Sequence, residues 1–560
     1  MSTHPALNPY GPLLRLLRQE GRIDLRRMLV MLAASGLANT GVFVSINEAF
    51  GHVSSGTLHW REGALFAILV LLYLMAQRYV LQTGAREVEQ LIFRVRMGLL
   101  ERLQRCELLE VERLGQARIH AAIGADTRTL SQFSIALVLA AQSMLLVIFT
   151  AGYVYYLAPV AFFLSGLFIA GSAAIYIQKS RAVNEALARA SMRESELHNT
   201  VGEVLGGFKE LKLSSVKARR VLADASELTA STADLRTEAQ GALAGSLVFS
   251  QTAFFLLFGV AVFLVPAFGS TSSTAIVKST TALLFMFGPL STMIGAIPQL
   301  AVVSAAAESI LGLYDELDAC LAAAPTPADR PLPIAPSFAT IELEDVTFHY
   351  RDRDSVAFST GPVRMRITRG ETIMITGGNG SGKSTLMRLL CALYPADAGH
   401  ILVDGRTVGV DERQAYRDRF AAVFSDFHLF RRAVFEAMSD PQEVARLLVA
   451  LEVDEKTGIR DGLFATVDLS TGQRKRLALI TALLEHREVL LLDEWAADQD
   501  PHFRRKFYLE ILPHLKARGL TIIAVTHDER YFPVADRRYH MEDGHIVEIT
   551  HPVEGTADEQ

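Results

Sequence analysis

One run of consecutive residues carries the clearest chemistry in the chain. Gly377, Gly378, Asn379, Gly380, Ser381, Gly382, Lys383, Ser384 and Thr385 spell G-x-x-x-x-G-K-[ST]. The run follows Glu371–Ile375, which reads as a strand, and precedes Leu386–Leu390, which reads as a helix. In that setting closely spaced glycines let backbone N–H groups converge on phosphate oxygens, and the helix N-terminus adds partial positive charge. Lys383 then reaches the β- and γ-phosphates, and the Ser384 hydroxyl is placed to ligate Mg2+. A second run, Val489–Leu492, is apolar enough for a buried strand and ends in two adjacent acids. Asp493 can hold Mg2+, directly or through water, and Glu494 is placed to polarise an attacking water as general base.

These runs need a sheet that brings their ends together. Short β-branched stretches at 339–343, 371–375, 401–403, 489–492 and 521–525 alternate with amphipathic helical stretches. That alternation predicts an α/β domain with a mainly parallel core sheet over residues 338–560. Residues 322–337, rich in proline and poor in bulky apolar side chains, read as a linker.

Residues 1–321 are of another kind. Met28–Asn47, Gly63–Gln77, Phe133–Gln178, Ala239–Val277 and Ser279–Ala307 contain no Asp, Glu, Lys or Arg. A bilayer span needs roughly 20 apolar residues, so Phe133–Gln178 reads as two spans joined at Tyr155–Pro159, and the total is six. Arginines crowd the stretch before the first span (Arg15, Arg18, Arg22, Arg26, Arg27) and the connections at about 83–132 and 179–240, whereas the opposite loops hold little beyond Arg61 and Lys278. This bias places both termini, the long connections and the C-terminal domain in the cytoplasm. Residues 1–27 lack an apolar signal-peptide core, so the first span is expected to direct insertion itself. The two connections are rich in Ala, Leu, Glu and Arg and read as helices continuing well past the bilayer, with something docked at the tip.

The composition agrees with such a blend. The 560 residues are 50% hydrophobic and 21% charged, with mean hydropathy +0.24, which excludes disorder and collagen-like repeats. A net charge of −6 gives no basic character that would argue for a nucleic-acid partner. Cys106, Cys320 and Cys391 lie too far apart in sequence for a metal cluster or disulfide framework and read as small apolar residues.

Leu469-Ser470-Thr471-Gly472-Gln473-Arg-Lys-Arg, between the two chemical runs, resembles the signature of ATP-binding cassette proteins, with Thr471 where the first glycine usually stands. The order of phosphate loop, signature, acid pair and Thr526-His527-Asp528 is that of a cassette ATPase, and six spans followed by one cassette resemble an exporter half-transporter. The resemblance implies ATP and Mg2+ as cofactors and a second identical subunit, with two ATP molecules sandwiched between the cassettes. It implies that Tyr350 stacks on adenine, that His527 contacts the γ-phosphate, and that Asp500 belongs to the loop crossing between cassettes. It also implies that Ser470, Gly472 and Gln473, with Thr471, contact ATP held by the other subunit.

One position departs from the pattern: Ser425 stands where a Mg2+-ligating glutamine is usual, with Asp426 as a rival ligand. Phe424–Phe430, Leu469–Leu479 and Gly207–Leu213 together resemble the bacterial cyclic-peptide exporter family, whose members move nonribosomal peptides and siderophore precursors to the periplasm. Gly207–Leu213 is then expected to be a coupling segment near the cassette.

The expected function is ATP-driven export of a peptide-like or amphipathic cargo through the lipid bilayer of the inner membrane. A lipid flippase or general multidrug exporter, and a membrane ATPase that regulates without transporting, are the alternatives. The residues before Met28 leave no room for a protease domain, so a peptide-processing exporter is not expected. Asn39, Asn47, Glu48, Arg78, Gln142, Gln251 and Gln299 lie in or beside spans and are candidates for lining a cargo cavity, with helix–helix hydrogen bonding the competing role.

Overall fold

The computed structural model describes residues 11–20, 25–54, 60–268, 273–323, 337–352, 355–432, 440–460 and 462–550. The chain divides into two compact units: residues 1–104 with 115–317, and residues 105–114 with 318–560.

The first unit is helical. Its elements are α1 (Gly11–Glu20), α2 (Leu25–Ser54) and α3 (Trp60–Arg105); α4 (Leu108–Leu114), next in sequence, belongs to the second unit. There follow α5 (Gln116–His120), α6 (Thr127–Leu157), α7 (Pro159–Gly206), α8 (Phe208–Leu213), α9 (Ser215–Gly259), α10 (Val265–Phe268), α11 (Ser273–Phe285) and α12 (Phe287–Ala323). Among the described residues, six helical stretches are long and apolar enough to cross a membrane. The Tyr155–Pro159 junction falls as read: Ala158 is non-helical (φ −153°, ψ 89°) and Pro159 opens α7, where its missing N–H costs nothing. The last boundary differs. Lys278 was expected to separate the fifth and sixth spans, yet α11 starts at Ser273 and carries Lys278 within it. The ammonium is tolerated because its Nζ donates to Glu48 Oε2 at 2.6 Å.

Polar side chains tie the spans to one another. Gln142 Nε2 donates to Ser35 Oγ (3.0 Å) and to Gln77 Oε1, while Ser35 Oγ donates to Gln77 Oε1 (3.1 Å), joining α2, α3 and α6. Asn47 Nδ2 donates to Tyr153 OH and to the Lys278 carbonyl, each at 3.2 Å, beside the stacked rings of Phe43 and Phe285 (4.5 Å).

The second unit is α/β. Its strands are β1 (Thr340–Asp352), β2 (Ser355–Thr368), β3 (Thr372–Gly377), β4 (Ala398–Val403), β5 (Arg406–Thr407), β6 (Phe420–Val423), β7 (Ile459–Arg460), β8 (Leu463–Phe464), β9 (Val489–Asp493), β10 (Thr521–Val525), β11 (Arg537–Glu542) and β12 (His545–Thr550). The main sheet has the order β12-β11-β3-β10-β9-β6, parallel throughout except for β12. An antiparallel sheet, β2-β1-β4-β5, stands apart from it, and β7 pairs with β8 in a small hairpin. The helices are α13 (Lys383–Leu390), α14 (Arg413–Arg417), α15 (Pro441–Ala450), α16 (Thr471–Leu484), α17 (Pro501–Lys506) and α18 (Leu512–Ala517).

Strand periodicity explains why the sheet is sandwiched. Val489 and Leu491 of β9 join the cluster containing Leu386 and Tyr394, whereas Leu490 and Leu492 join the one containing Trp495 and Leu477. A strand buried on both faces must be apolar at every position, which is why 489–492 reads as an unbroken hydrophobic run.

Two features stand at the boundaries of the units. Residues 105–114, read as part of the first domain's extension, cluster with the second unit. Leu108 and Leu109 pack against its core, Glu107 pairs with Arg413 (3.4 Å) and Arg417, and Glu112 accepts from Tyr394 OH (2.6 Å). The Ala- and Leu-containing stretch to Ala323 continues α12 past the expected boundary at 321, and residues 324–336 of the expected linker lie outside the described residues.

Trp495, 1% exposed, donates its Nε1 hydrogen to the Lys475 carbonyl at 2.8 Å. Truncation at such a position costs about 3–5 kcal/mol. Trp495→Ala should therefore lower the apparent melting temperature of the purified protein by on the order of ten degrees; an unchanged melting curve would show that the ring does not anchor this core.

Candidate functional site

β3 is buried along its whole length and delivers Gly377 to the start of the phosphate loop. Gly377 has φ +146°, and a Cβ there would lie 2.2 Å from the Met541 carbonyl oxygen. Only glycine fits, so the first position of the motif is fixed by neighbouring β11 as well as by any ligand. Lys383, first residue of α13 and 5% exposed, donates from Nζ to the carbonyls of Gly377 (3.0 Å) and Gly378 (2.8 Å). Burial lowers the pKa of its ammonium, and the carboxylates of Glu494 and Asp493 oppose that shift.

Asp493, at the C-terminal end of β9 and 2% exposed, is where the other candidates meet. Its Oδ2 accepts from Ser384 Oγ and from Ser425 Oγ, each at 3.1 Å. Its Oδ1 is buried and has no hydrogen-bond partner among the described residues. A carboxylate with one buried, unsatisfied oxygen beside two hydroxyls is a hard oxygen set that suits Mg2+. Asp426, the rival, turns elsewhere: its Oδ2 accepts from Arg388 Nη2 at 3.4 Å.

Glu494 follows immediately, in a left-handed conformation (φ +48°, ψ 36°) that costs a non-glycine residue roughly 1–2 kcal/mol. Its N–H donates to the Val525 carbonyl (3.2 Å) and its own carbonyl accepts from Lys475 Nζ (2.8 Å). Thus held, its Oε1 lies 3.1 Å from His527 Nε2. The strained turn aims the acid away from Asp493 and towards the histidine at the end of β10.

Tyr350 is half-buried, edge-on to Phe348 (5.0 Å) and Tyr394 (6.0 Å), and its hydroxyl accepts from Thr385 Oγ1 at 3.4 Å. The ring therefore stands beside the first turn of α13. Ser381 Oγ is buried without a partner among the described residues.

The signature residues are held elsewhere. Ser470 caps α16: its Oγ accepts from Gln473 N–H (3.4 Å) while Gln473 Oε1 accepts from Ser470 N–H (3.2 Å). Thr471 is the first helical residue. The Gly472 carbonyl accepts from Gln499 Nε2 at 3.1 Å, and a Cβ on Gly472 would lie 2.7 Å from the Asp498 carbonyl oxygen. Asp500 accepts the Phe503 N–H (2.9 Å) at the start of α17 and the Arg476 guanidinium (2.9 Å), and these hold its carboxyl below the ordinary carboxylate range. These bonds tie residues 470–473 to the 498–500 turn rather than to the phosphate loop.

Sequence reasoning missed Lys475, Arg476 and Gln499. Lys475 and Arg476, to which the sequence assigned no role, are 4% and 8% exposed despite their charge. Lys475 pairs with Asp498 (2.7 Å), and Arg476 bonds Gln499 (2.9 Å) and lies 3.4 Å over the Phe503 ring. Helical spacing, which puts Lys475 and Arg476 on the faces of the buried Leu479 and Ile480, was the available signal.

A phosphate loop, a buried acid gathering two hydroxyls, and a general-base candidate beside a histidine, in a chain with six apolar helices, define a membrane-embedded nucleotide hydrolase. Residues 360–497 match the ABC transporter family model. The chain is 32% identical over 531 residues to the ATP-binding protein SyrD of Pseudomonas syringae pv. syringae, covering 93% of each chain. It is 28% identical over 458 residues to the ATP-dependent lipid A-core flippase of Burkholderia orbicola (strain AU 1054), covering 79% of this chain and 74% of the flippase. It is also 32% identical over 219 residues to the macrolide export ATP-binding/permease protein MacB of Escherichia coli (strain K12), covering 37% and 34%. The chain belongs to the ABC transporter family: it is a multi-pass membrane protein of exporter type that binds ATP and couples its hydrolysis to transport.

Gly377→Ala tests the loop geometry. Strain of about 1–3 kcal/mol and the clash with Met541 should abolish the thermal shift that ATP produces in the wild type; a preserved shift would show that the backbone approach is not needed.

Proposed function

We propose that this protein exports a peptide-like natural product, such as a cyclic peptide or siderophore precursor, across the bacterial inner membrane as a homodimer. The observation that carries the hydrolytic part is the convergence of Ser384 and Ser425 on Asp493 with Glu494 and His527 adjacent. The cargo class rests on the three segments 207–213, 424–430 and 469–479. Amphipathic cargo is supported by a cavity of about 640 Å³ in the first unit, lined mainly by carbon from residues such as Leu137, Phe168, Phe249 and Phe254. None of the seven polar candidates from the sequence lines this cavity. Gln142 and Asn47 bond neighbouring helices, Glu48 pairs with Lys278, and Arg78 and Gln251 are exposed.

In this reading Lys383 neutralises phosphate charge, Tyr350 stacks on adenine, and Glu494 draws the proton from the attacking water while His527 orients it. Ser384, Asp493 and Ser425 would hold Mg2+, which supplies charge neutralisation at the phosphate oxygens. Ser470, Thr471, Gly472, Gln473 and Asp500 serve ATP bound to the second subunit. The exposed apolar side chains at and beside α8, Phe208 (52%) and Leu213 (89%), support a partner at that tip. The arginine bias supports cytoplasmic termini and a cytoplasmic ATPase domain. The similarity to a lipid A-core flippase over 79% of this chain favours lipid cargo as the second reading.

Glu494→Gln should retain ATP binding and lower hydrolysis by about 100-fold or more; wild-type turnover in that variant would defeat the general-base role. In proteoliposomes, stimulation of hydrolysis by cyclic peptides but not by lipid A supports the peptide reading, and the reverse pattern selects the flippase reading.

A further inference from the structure

Two loops flank Glu494: the turn after β9 that carries Asp498 and Asp500, and the Thr526-His527-Asp528 stretch after β10. One helical face grips both. Arg504 of α17 donates through Nη1 to Asp528 Oδ1 (3.2 Å) and through Nη2 to the carbonyls of Ala497 (3.0 Å) and Gln499 (3.1 Å). Tyr508, one helical turn further on, donates from its hydroxyl to Asp528 Oδ2 at 3.3 Å. Tyr508 lies inside a π turn, Phe507–Ile511, between α17 and α18. Such turns are rare and gather at functional sites.

The hydrogens around Asp528 have a fixed order. Its N–H donates to Thr526 Oγ1 (3.0 Å), and the Thr526 and Tyr508 hydroxyls lie 2.7 Å apart. An ionised carboxylate only accepts, so Tyr508 gives its one proton to Asp528 and Thr526 gives its own to Tyr508. Burial raises the Tyr508 phenol pKa and keeps that proton in place. The three bonds close a ring, and His527 sits between its two backbone members with Nε2 3.1 Å from Glu494 Oε1. Both Asp528 oxygens are engaged, one by the ring and one by Arg504. Packing fixes the Tyr508 side chain separately: it is 2% exposed and stacks on Tyr531 at 4.4 Å. Loss of the hydroxyl therefore opens the ring of bonds without emptying the core.

We propose that Arg504 and Tyr508 are positioning residues for hydrolysis, which through Asp528 fix His527 at its distance from Glu494. Arg504 ties that distance to the 497–499 turn as well, since one guanidinium holds both loops. The proposal rests on the reading that Glu494 and His527 serve the attacking water.

The test measures steady-state hydrolysis by the full-length protein in lipid nanodiscs over a range of Mg·ATP concentrations. Turnover is counted per ATP-binding site, so that unfolded protein does not enter kcat. Arg504→Lys keeps the charge but not the fork that spans the two loops, and Tyr508→Phe removes only the hydroxyl. Each should lower kcat by about 10-fold with KM for ATP within about two-fold of the wild type. Asp528→Ala should lower kcat by at least as much, and adding Tyr508→Phe or Arg504→Lys to it should cost less than about two-fold more. Wild-type kcat in both single variants, a rise in KM that matches the fall in kcat, or equal losses with and without Asp528 would overturn the positioning role. His527→Ala tests the underlying reading separately: wild-type turnover in that variant would remove His527 from hydrolysis, whatever the other variants show.

Discussion

The Asp493 carboxylate is the interaction on which the second unit turns. It sits at the end of β9, in the interior of the main sheet, where an ionised group is tolerated only with partners. Two hydroxyls from different elements, Ser384 at the start of α13 and Ser425 just past β6, supply them on one oxygen. The other oxygen has no protein donor among the described residues. A full set of donors would satisfy the carboxylate and blunt its attraction for a cation. The observed arrangement stores an uncompensated demand for positive charge beside Lys383, whose own ammonium is pulled down by burial and supported by this acid and Glu494.

The same economy of charge governs the rest of the molecule. In the first unit Lys278 and Glu48 neutralise one another within the span region, and Gln142, Gln77 and Ser35 exchange hydrogen bonds among three helices. Polar atoms in an apolar setting stabilise only when they find one another, and each such pairing then fixes the rotation of its helices. Of the residues that read as cargo candidates, Asn47, Glu48 and Gln142 are occupied in this way.

How far the sequence was legible follows from what kind of pattern each feature leaves. The spans, the parallel sheet and the phosphate loop leave local patterns: unbroken apolar runs, strand–helix alternation, and glycines at fixed spacing. β2, β11 and β12 lack such runs: in β2 the buried Val363, Met365 and Ile367 alternate with the exposed Arg364 and Arg366, the period-two pattern of a strand with one face in solvent. Lys475 and Arg476 went without a role for another reason: their partners, the Glu494 carbonyl, Asp498, Gln499 and Asp500, lie some 20 residues along the chain and only the fold brings them near. The choice between Ser425 and Asp426 was likewise tertiary. Both side chains carry oxygen, and only the positions of Asp493 and Arg388 decide which turns inward.

These late-emerging contacts also explain why the signature helix and the hydrolytic acid form one mechanical piece. Lys475 holds the Glu494 carbonyl, Gln499 holds the Gly472 carbonyl, and Arg476 joins Gln499 to Asp500. Burying two cations is costly unless each is fully engaged, and here the bonds of Lys475 to the Glu494 carbonyl and Asp498, and of Arg476 to Gln499 and Asp500, cross between α16 and the turn after β9. Gly472 adds a steric condition, since its Cα approaches the Asp498 carbonyl too closely for any side chain. A displacement of the α16 N-terminus is therefore resisted at Glu494 itself, whose left-handed backbone is kept in place by the Lys475 contact on one side and the Val525 carbonyl on the other. The geometry of the acid and the position of the signature are set by the same small group of buried charges.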